Sequence, residues 1–180
     1  NLGEGAGFLV LETEETIKKS GKKPLAILSG WSNASDAYHQ TASSPEGLGA
    51  TLSMKGALKI AGLKPGDISY INAHGTATPN NDLSESHGIK AVFGSSVPPF
   101  SSTKAYTGHT LAASGGIEAV FAILALNNGI LLPNLNFKQA IEETGLVPVK
   151  NYSEGNDIRH ILSNSFGFGG NNSTIILSKV

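Results

Sequence analysis

Short apolar runs alternate along this chain with longer stretches in which apolar residues recur at helical spacing. The short runs predict strands, at residues 8–12, 25–31, 68–73, 100–103, 161–165 and 174–179. Helices are predicted at residues 14–20, 45–61, 82–92, 111–127 and 137–143. This alternation favours a three-layer α/β unit, with helices on both faces of one sheet. Only a glycine-rich turn separates the last two strands, which predicts a hairpin and therefore a mixed sheet.

The second predicted helix carries a signal at each end. Ser44 is a residue type that accepts hydrogen bonds from the first turn of a helix, and Pro45 fits the first helical position. Gly62 can adopt the left-handed conformation that commonly ends a helix. We therefore expect a helix that begins directly after Ser44 and stops at Gly62.

Length and charge narrow the classes of protein that the chain can represent. Its 180 residues correspond to about one domain, and 39% of them are hydrophobic, enough for a real core. With 13 basic and 14 acidic residues the net charge is −1, so no basic face is implied and nucleic acid is a poor candidate partner. A charged fraction of 15% with 22 glycines fits a compact α/β enzyme.

The chain contains no cysteine, which excludes disulfides, thiolate metal sites and a cysteine nucleophile within these residues. This is compatible with a cytoplasmic location. Apolar stretches such as residues 117–126 fall short of a bilayer span and no signal peptide is visible, so we predict no membrane partner. Because the chain runs from Asn1 almost at once into a predicted strand, we expect a fragment whose N-terminal half is missing.

Three polar loops leave the ends of predicted strands, at residues 72–82, 102–109 and 164–172. In α/β folds such loops build functional sites on a rigid scaffold. The first two loops hold His74 and His109, each near glycine and threonine. No HxH or HxxxH pair is present, so a metal site is not predicted.

The third loop contains FGFGG at residues 166–170, which lacks the spacing of a nucleotide-binding loop, and no cofactor is predicted. Its glycines on both sides of Phe168 indicate a backbone that turns sharply and leaves an N–H free.

These loops together resemble a known family. The motifs are HGTATP at residues 74–79 followed by Asp82, then STK at 102–104 with TGH at 107–109, and NSFGFGG at 164–170. In this order and spacing they are similar to the signature blocks of the β-ketoacyl-acyl-carrier-protein synthases. GEGAG at 3–7 and SDAYH at 35–39 are weaker matches. The resemblance covers essentially the whole chain and implies the C-terminal half of a thiolase-like fold.

The resemblance implies a decarboxylative Claisen condensation. A cysteine in the missing half would carry the acyl group, and a carbanion made from malonyl-carrier protein would attack it. His74 and His109 match the family's histidine pair, which stabilises the enolate oxygen as neutral N–H donors. Two histidines place the chain in the His–His subclass. The acyl carrier protein would be the partner, and the full-length enzyme would be a homodimer.

The same resemblance assigns roles to three further residues. Lys104 matches the family's lysine, and its expected partner is Glu85, since a buried lysine without a carboxylate is costly. The alternative is a solvated surface lysine. Phe168 matches the family's gating phenylalanine, whose backbone N–H completes the acyl oxyanion hole; the alternative is a simple core aromatic residue.

The tunnel for the pantetheine arm of the carrier protein would be lined by three threonines, namely Thr76, Thr78 and Thr41. Threonines in tight loops also commonly bond the neighbouring backbone, which is the alternative. The other histidines are expected to be structural or exposed: His39, His87 and His160.

Small departures from the family pattern leave the subfamily open. The chain has Asn171-Asn172 where the family usually has Thr-Asn, and Ala112 where glycine is common. A fatty-acid or polyketide condensing enzyme is the leading interpretation. A non-catalytic partner such as a chain-length factor is the alternative, although such a partner has no chemical use for both histidines and Lys104. A thiolase is disfavoured because thiolases need cysteines in both halves.

Overall fold

The computed structural model describes residues 1–180. Its centre is one five-stranded sheet with the strand order β1-β5-β4-β2-β3. The strands are β1 (Ile27–Ser35), β2 (Tyr70–Asn72), β3 (Phe100–Ser101), β4 (His160–Gly167) and β5 (Asn171–Ser178). The pairs β1–β5 and β4–β5 are antiparallel, whereas β2 runs parallel to both β3 and β4. The predicted mixed sheet is confirmed.

Five α-helices accompany the sheet: α1 (Glu14–Ser20), α2 (Leu48–Ala61), α3 (Pro79–Phe93), α4 (Lys104–Thr107) and α5 (Ser114–Asn128). Short 3₁₀ turns at Pro65–Asp67 and Leu111–Ala113 precede β2 and α5. The predicted helix at 111–127 therefore begins with a 3₁₀ turn.

The alternation of side chains along β4 and β5 divides the core into two layers. Leu162 and Ile176 pack with α2 and α3 on one face of the sheet. Their neighbours Ile161 and Leu177 point to the other face, where they pack with α5. Helices therefore cover both faces, and the predicted three-layer architecture is confirmed.

The start of α2 differs from the sequence prediction. Gly47 has a φ of +66°, so the helix cannot run through it and begins at Leu48. The N-cap residue is therefore Gly47, and the prediction that Ser44 occupies this position is wrong, although Ser44 Oγ accepts a hydrogen bond from the Leu48 N–H at 3.1 Å. The predicted end at Gly62 is correct, with a φ of +67°.

Two predicted elements are absent. Residues 8–12 form no strand, because no neighbouring strand lies beside them, and Phe8 is 88% exposed. Residues 137–143 form no helix, and they lie in an irregular segment instead. Seven residues are too few to hold a helix without tertiary packing. This segment is tied at its ends, where the Asn134 N–H donates to the Val149 carbonyl at 2.7 Å.

The helical stretch Leu111–Asn128 is long and apolar enough to cross a bilayer, with a mean hydropathy of 1.4 over 18 residues. The expectation that apolar stretches here fall short of a span is wrong for this one. Its small residues pack against the sheet, as in the core helix of a globular domain: Ala119, Ala122 and Ala125.

Candidate active site

His74 and His109, the two histidines predicted to form the site, lie close together beyond the ends of two parallel strands. His74 follows β2 and His109 follows β3, and these parallel neighbours end at the same edge. The ring centroids are 5.3 Å apart, and the ring planes are nearly perpendicular at 84°. His74 is buried and His109 half-buried. The structure therefore brings together two imidazoles that lie 35 positions apart in the sequence.

Hydrogen bonds determine which nitrogen of His74 carries the proton. Lys104 Nζ lies 3.2 Å from His74 Nδ1 and also contacts Oε1 of Glu118. An ammonium group has only donors, so Nδ1 must accept. A neutral His74 ring therefore carries its hydrogen on Nε2.

His109 is held in the same tautomer by different partners. The backbone N–H of Leu111 donates to His109 Nδ1 at 3.2 Å, and Ser114 Oγ lies 2.9 Å from the same nitrogen. Because a backbone N–H can only donate, Nδ1 accepts and Nε2 keeps the hydrogen. Each histidine thus offers one Nε2–H as a hydrogen-bond donor.

Both imidazole rings are neutral at pH 7. Burial, followed by the charge of Lys104 and the neighbouring His109, lowers the pKa of His74 from 6.5 to about 3. Burial and Lys104 also lower the pKa of His109. Desolvation disfavours the charged imidazolium, and a nearby cation does the same. The site therefore presents two neutral donors.

Lys104 is buried, which excludes the solvated alternative, but its partner is Glu118 and not Glu85. The prediction of a Lys104–Glu85 pair is wrong because Glu85 is occupied elsewhere. Its carboxylate accepts the backbone N–H groups of His74 at 2.9 Å and Gly75 at 2.8 Å. Glu85 orients the histidine loop through the backbone instead of through the lysine.

Sequence reasoning missed Glu118, although a signal was present. It is the only charged residue in α5, whose other positions are apolar, small or amide-bearing. A single charge on a buried helix needs a partner of opposite sign. Burial raises the pKa of Glu118 and the charge of Lys104 opposes that shift. Burial likewise raises the pKa of Glu85, against the bonds from its N–H donors.

Phe168 lies at the tip of the β4–β5 hairpin and is 82% exposed, so the core-aromatic alternative is wrong. The next residue, Gly169, has a φ of +82°, and its N–H donates to the Gln40 carbonyl at 2.7 Å. The aromatic residue that does pack on the site is Phe166, with its ring 5.6 Å from that of His74. Sequence reasoning assigned it no role.

The three predicted tunnel threonines lie on two loops that are fastened together. Thr76 and Thr78 share a hydrogen bond of 2.9 Å between their hydroxyls. Asn80 accepts from the Ser43 N–H at 2.9 Å and donates to the Ser43 carbonyl, so the loop that carries Thr41 is held beside theirs. Thr41 and Thr78 are exposed. Their contact with a pantetheine arm stays a prediction.

Gly3 of the GEGAG block lies against the loop that carries His109. The His109 N–H donates to the Asn1 carbonyl at 2.9 Å, and the Gly3 N–H donates to the His109 carbonyl at 3.1 Å. A Cβ on Gly3 would come within 2.0 Å of the Thr107 carbonyl oxygen. Only glycine permits so close an approach.

The remaining histidines lie outside this site. His39 is exposed, His87 Nδ1 is 2.8 Å from the Pro45 carbonyl and His160 Nδ1 is 2.8 Å from Ser178 Oγ. No three side chains of the metal-ligating types lie close enough together to share an ion.

Comparison with known proteins assigns the class. The family model described as "Beta-ketoacyl synthase, C-terminal domain" matches residues 25–138. The 3-oxoacyl-acyl-carrier-protein synthase 2 of Staphylococcus aureus (strain COL) is 42% identical over 180 residues, which are 99% of this chain and 44% of that protein. The mixed sheet covered on both faces by helices is a thiolase-like half. The chain belongs to the β-ketoacyl synthase family.

Solved structures agree with this assignment. The ishigamide ketosynthase/chain length factor superposes with a TM-score of 0.93 at 34% identity, over 99% of this chain and 44% of that one. A type II polyketide synthase acyl-carrier protein in complex with its ketosynthase bound to the hexaketide gives 0.88 at 33% identity, over 94% and 42%. The chain spans less than half the length of these relatives.

Proposed function

We propose that the chain is the C-terminal half of a 3-oxoacyl-acyl-carrier-protein synthase. The reaction is the condensation of an acyl thioester with malonyl-carrier protein in fatty-acid or polyketide synthesis. The observation that supports it most directly is the pair of neutral imidazoles, 5.3 Å apart between centroids, each with its hydrogen on Nε2.

The chemistry follows from where negative charge develops. When malonyl thioester loses CO₂, the electrons of the broken C–C bond form an enolate, and its oxygen accepts the two Nε2–H groups. The carbanion carbon then attacks the acyl thioester on the cysteine of the other half, and the cysteine thiolate leaves. Donors placed before the reaction stabilise the developing charge without reorganisation.

Lys104 acts on this step through His74. Its donated hydrogen bond to Nδ1 polarises the ring and strengthens the Nε2–H as a donor. Glu118 holds the ammonium in place. The backbone N–H of Phe168 is proposed to complete the oxyanion hole for the acyl group, at the exposed tip of the hairpin.

The partner in this reaction is an acyl carrier protein. The type II polyketide ketosynthase named above is bound to one, and the exposed Thr41 and Thr78 can reach a pantetheine arm from solvent. The full-length protein is proposed to be a homodimer that works in the cytoplasm, with an N-terminal half that supplies the cysteine.

A non-catalytic chain-length factor is the second candidate, because one similar structure pairs a ketosynthase with such a factor. The retained pair His74 and His109 with Lys104 favours the enzyme. Release of CO₂ from malonyl-carrier protein by the full-length protein, together with formation of the 3-oxoacyl product, tests the choice. Absence of both reactions with a loaded cognate carrier protein would favour the factor. The 180-residue chain alone is expected to form no product, since it has no cysteine to acylate.

A further inference from the structure

A line of buried polar side chains runs from β5 to the backbone of His74. Thr174 Oγ1 lies 2.9 Å from Asn164 Oδ1, and Asn164 Nδ2 donates to Glu85 Oε1 at 3.0 Å. Glu85 in turn accepts the N–H groups of His74 and Gly75. The three side chains are almost inaccessible, with 1%, 0% and 3% exposure for Thr174, Asn164 and Glu85.

The direction of every hydrogen in this line follows from the groups themselves. The carboxylate of Glu85 has only acceptors, so Asn164 must turn its NH₂ toward it. The Asn164 oxygen then faces Thr174, which must donate its only hydroxyl hydrogen there. Ser53 Oγ lies 3.0 Å from Thr174 Oγ1, and its own hydrogen is donated to the Ala50 carbonyl at 3.0 Å. Rotation of the Asn164 amide by half a turn would place its oxygen against the carboxylate.

Glu85 depends on this arrangement. No lysine, arginine or histidine side chain forms an ion pair or a hydrogen bond with it, so neutral N–H groups alone hold a buried carboxylate. Two of those N–H groups are the backbone of the histidine loop itself. A shift of Glu85 therefore moves His74, whereas His109 is held by Leu111 and Ser114.

We propose that Asn164, locked in one orientation by Thr174, is a positioning residue that sets the place of His74 through Glu85. It touches no substrate. The inference rests on the proposed function for its effect on rate, but its effect on the His74 backbone is independent of that function.

Two substitutions at Thr174 separate the hydroxyl from the packing, in the full-length protein. Thr174→Val keeps the shape and removes the donor, so the Asn164 amide is free to rotate. Thr174→Ser keeps the donor and removes a methyl group. Thr144→Val is the matched control, since Thr144 is also buried but its hydroxyl has only a 3.5 Å contact with the Ile141 carbonyl.

Hydrogen–deuterium exchange followed by mass spectrometry reports on the loop directly. For Thr174→Val, the peptide that contains His74 and Gly75 is expected to exchange roughly tenfold faster, as for loss of a hydrogen bond to a charged group. Thr174→Ser and Thr144→Val should leave that peptide close to wild type. Equal exchange in wild type and Thr174→Val would overturn the positioning role, whatever reaction the protein catalyses.

The kinetic readout is the rate of malonyl decarboxylation against that of cysteine acylation. Thr174→Val is expected to lower the decarboxylation kcat about tenfold to a hundredfold, the usual cost of a slightly misplaced group, with little change in KM or acylation. Thr174→Ser should retain most of the wild-type decarboxylation kcat. Equal losses in decarboxylation and acylation, or equal losses for Val and Ser, would indicate packing alone and reject the proposal. If Thr174→Val exchanged faster than wild type but the wild-type protein showed no decarboxylase activity, the proposed function would be rejected and the positioning role would stand.

Discussion

Lys104 Nζ lies 3.2 Å from Nδ1 of His74 and, on its other side, contacts the carboxylate of Glu118. The ammonium therefore joins a core helix to a histidine loop, and it decides which nitrogen of the ring is the donor. The charge pair is buried, so its loss is costly.

Breaking this pair on one side is expected to destabilise the full-length protein by about 3–5 kcal/mol, because one charge stays buried without a partner. Lys104→Met and Glu118→Gln are the two single variants. The double variant should recover much of the stability, yet its decarboxylation should stay low because His74 has lost its donor. Urea unfolding and decarboxylation rates measure the two effects. If the double variant regained the rate as well, Lys104 would have no part in the chemistry.

Removal of either histidine is expected to lower malonyl decarboxylation by about 10²–10³, the usual value of one oxyanion donor. His74→Ala and His109→Ala should combine less than additively, since both act on one oxygen. Cysteine acylation should survive in part, and His160→Ala, at the opposite end of β4, is the control. Should His74→Ala abolish acylation and spare decarboxylation, His74 would be the base for the cysteine instead.

The lowered pKa of His74, about 3 against an ordinary 6.5, predicts a pH effect on stability. Below pH 6.5 the unfolded chain binds a proton at this residue and the folded chain does not. Above pH 6.5, His74 therefore does not lower the free energy of unfolding. As the pH falls from 6.5 toward 3, proton binding to the unfolded chain lowers this free energy by up to about 1.4 kcal/mol per pH unit. Glu85 and Glu118, whose pKa values are raised, act in the opposite direction.

Comparison of the wild type with His74→Gln isolates this residue. Between pH 6.5 and 4, the difference between their free energies of unfolding should change with pH at the slope that corresponds to the binding of one proton. A parallel pair of curves would mean that His74 is protonated in the folded protein.

The 180-residue chain is expected to self-associate. Phe8, Val10 and Leu11 are exposed on a segment without regular structure, and Trp31 is exposed on β1. Such apolar surface promotes association. Val10→Lys should reduce the sedimentation coefficient more than Val147→Lys, a control at an exposed valine elsewhere. A monodisperse wild-type chain at high concentration would contradict the expectation.

Local patterns were sufficient for most of the fold, but the pairing of the histidines was predicted from the resemblance to the β-ketoacyl synthases. The residues alone placed His74 and His109 in separate strand-end loops, which meet because β2 and β3 are parallel neighbours. The partner of Lys104 could not be derived this way, because Glu118 and Glu85 are both acidic and only the tertiary packing distinguishes them. The strand predicted at residues 8–12 failed for a related reason: a strand forms only beside another strand.

The irregular segment between Asn134 and Val149 determines where the domain can accept insertions. Its two ends are fastened beside β3, where the Ser102 N–H donates to Asn134 Oδ1 at 2.9 Å and the Val149 N–H donates to the Phe100 carbonyl at 2.9 Å. Because these anchors lie side by side, the chain between them can change length without altering them. Doubling such a loop costs only about 0.6 kcal/mol in closure entropy. Insertions at the exposed residues 142–143 should therefore be accepted, while the anchors that brace the Lys104 and His109 loop should not vary.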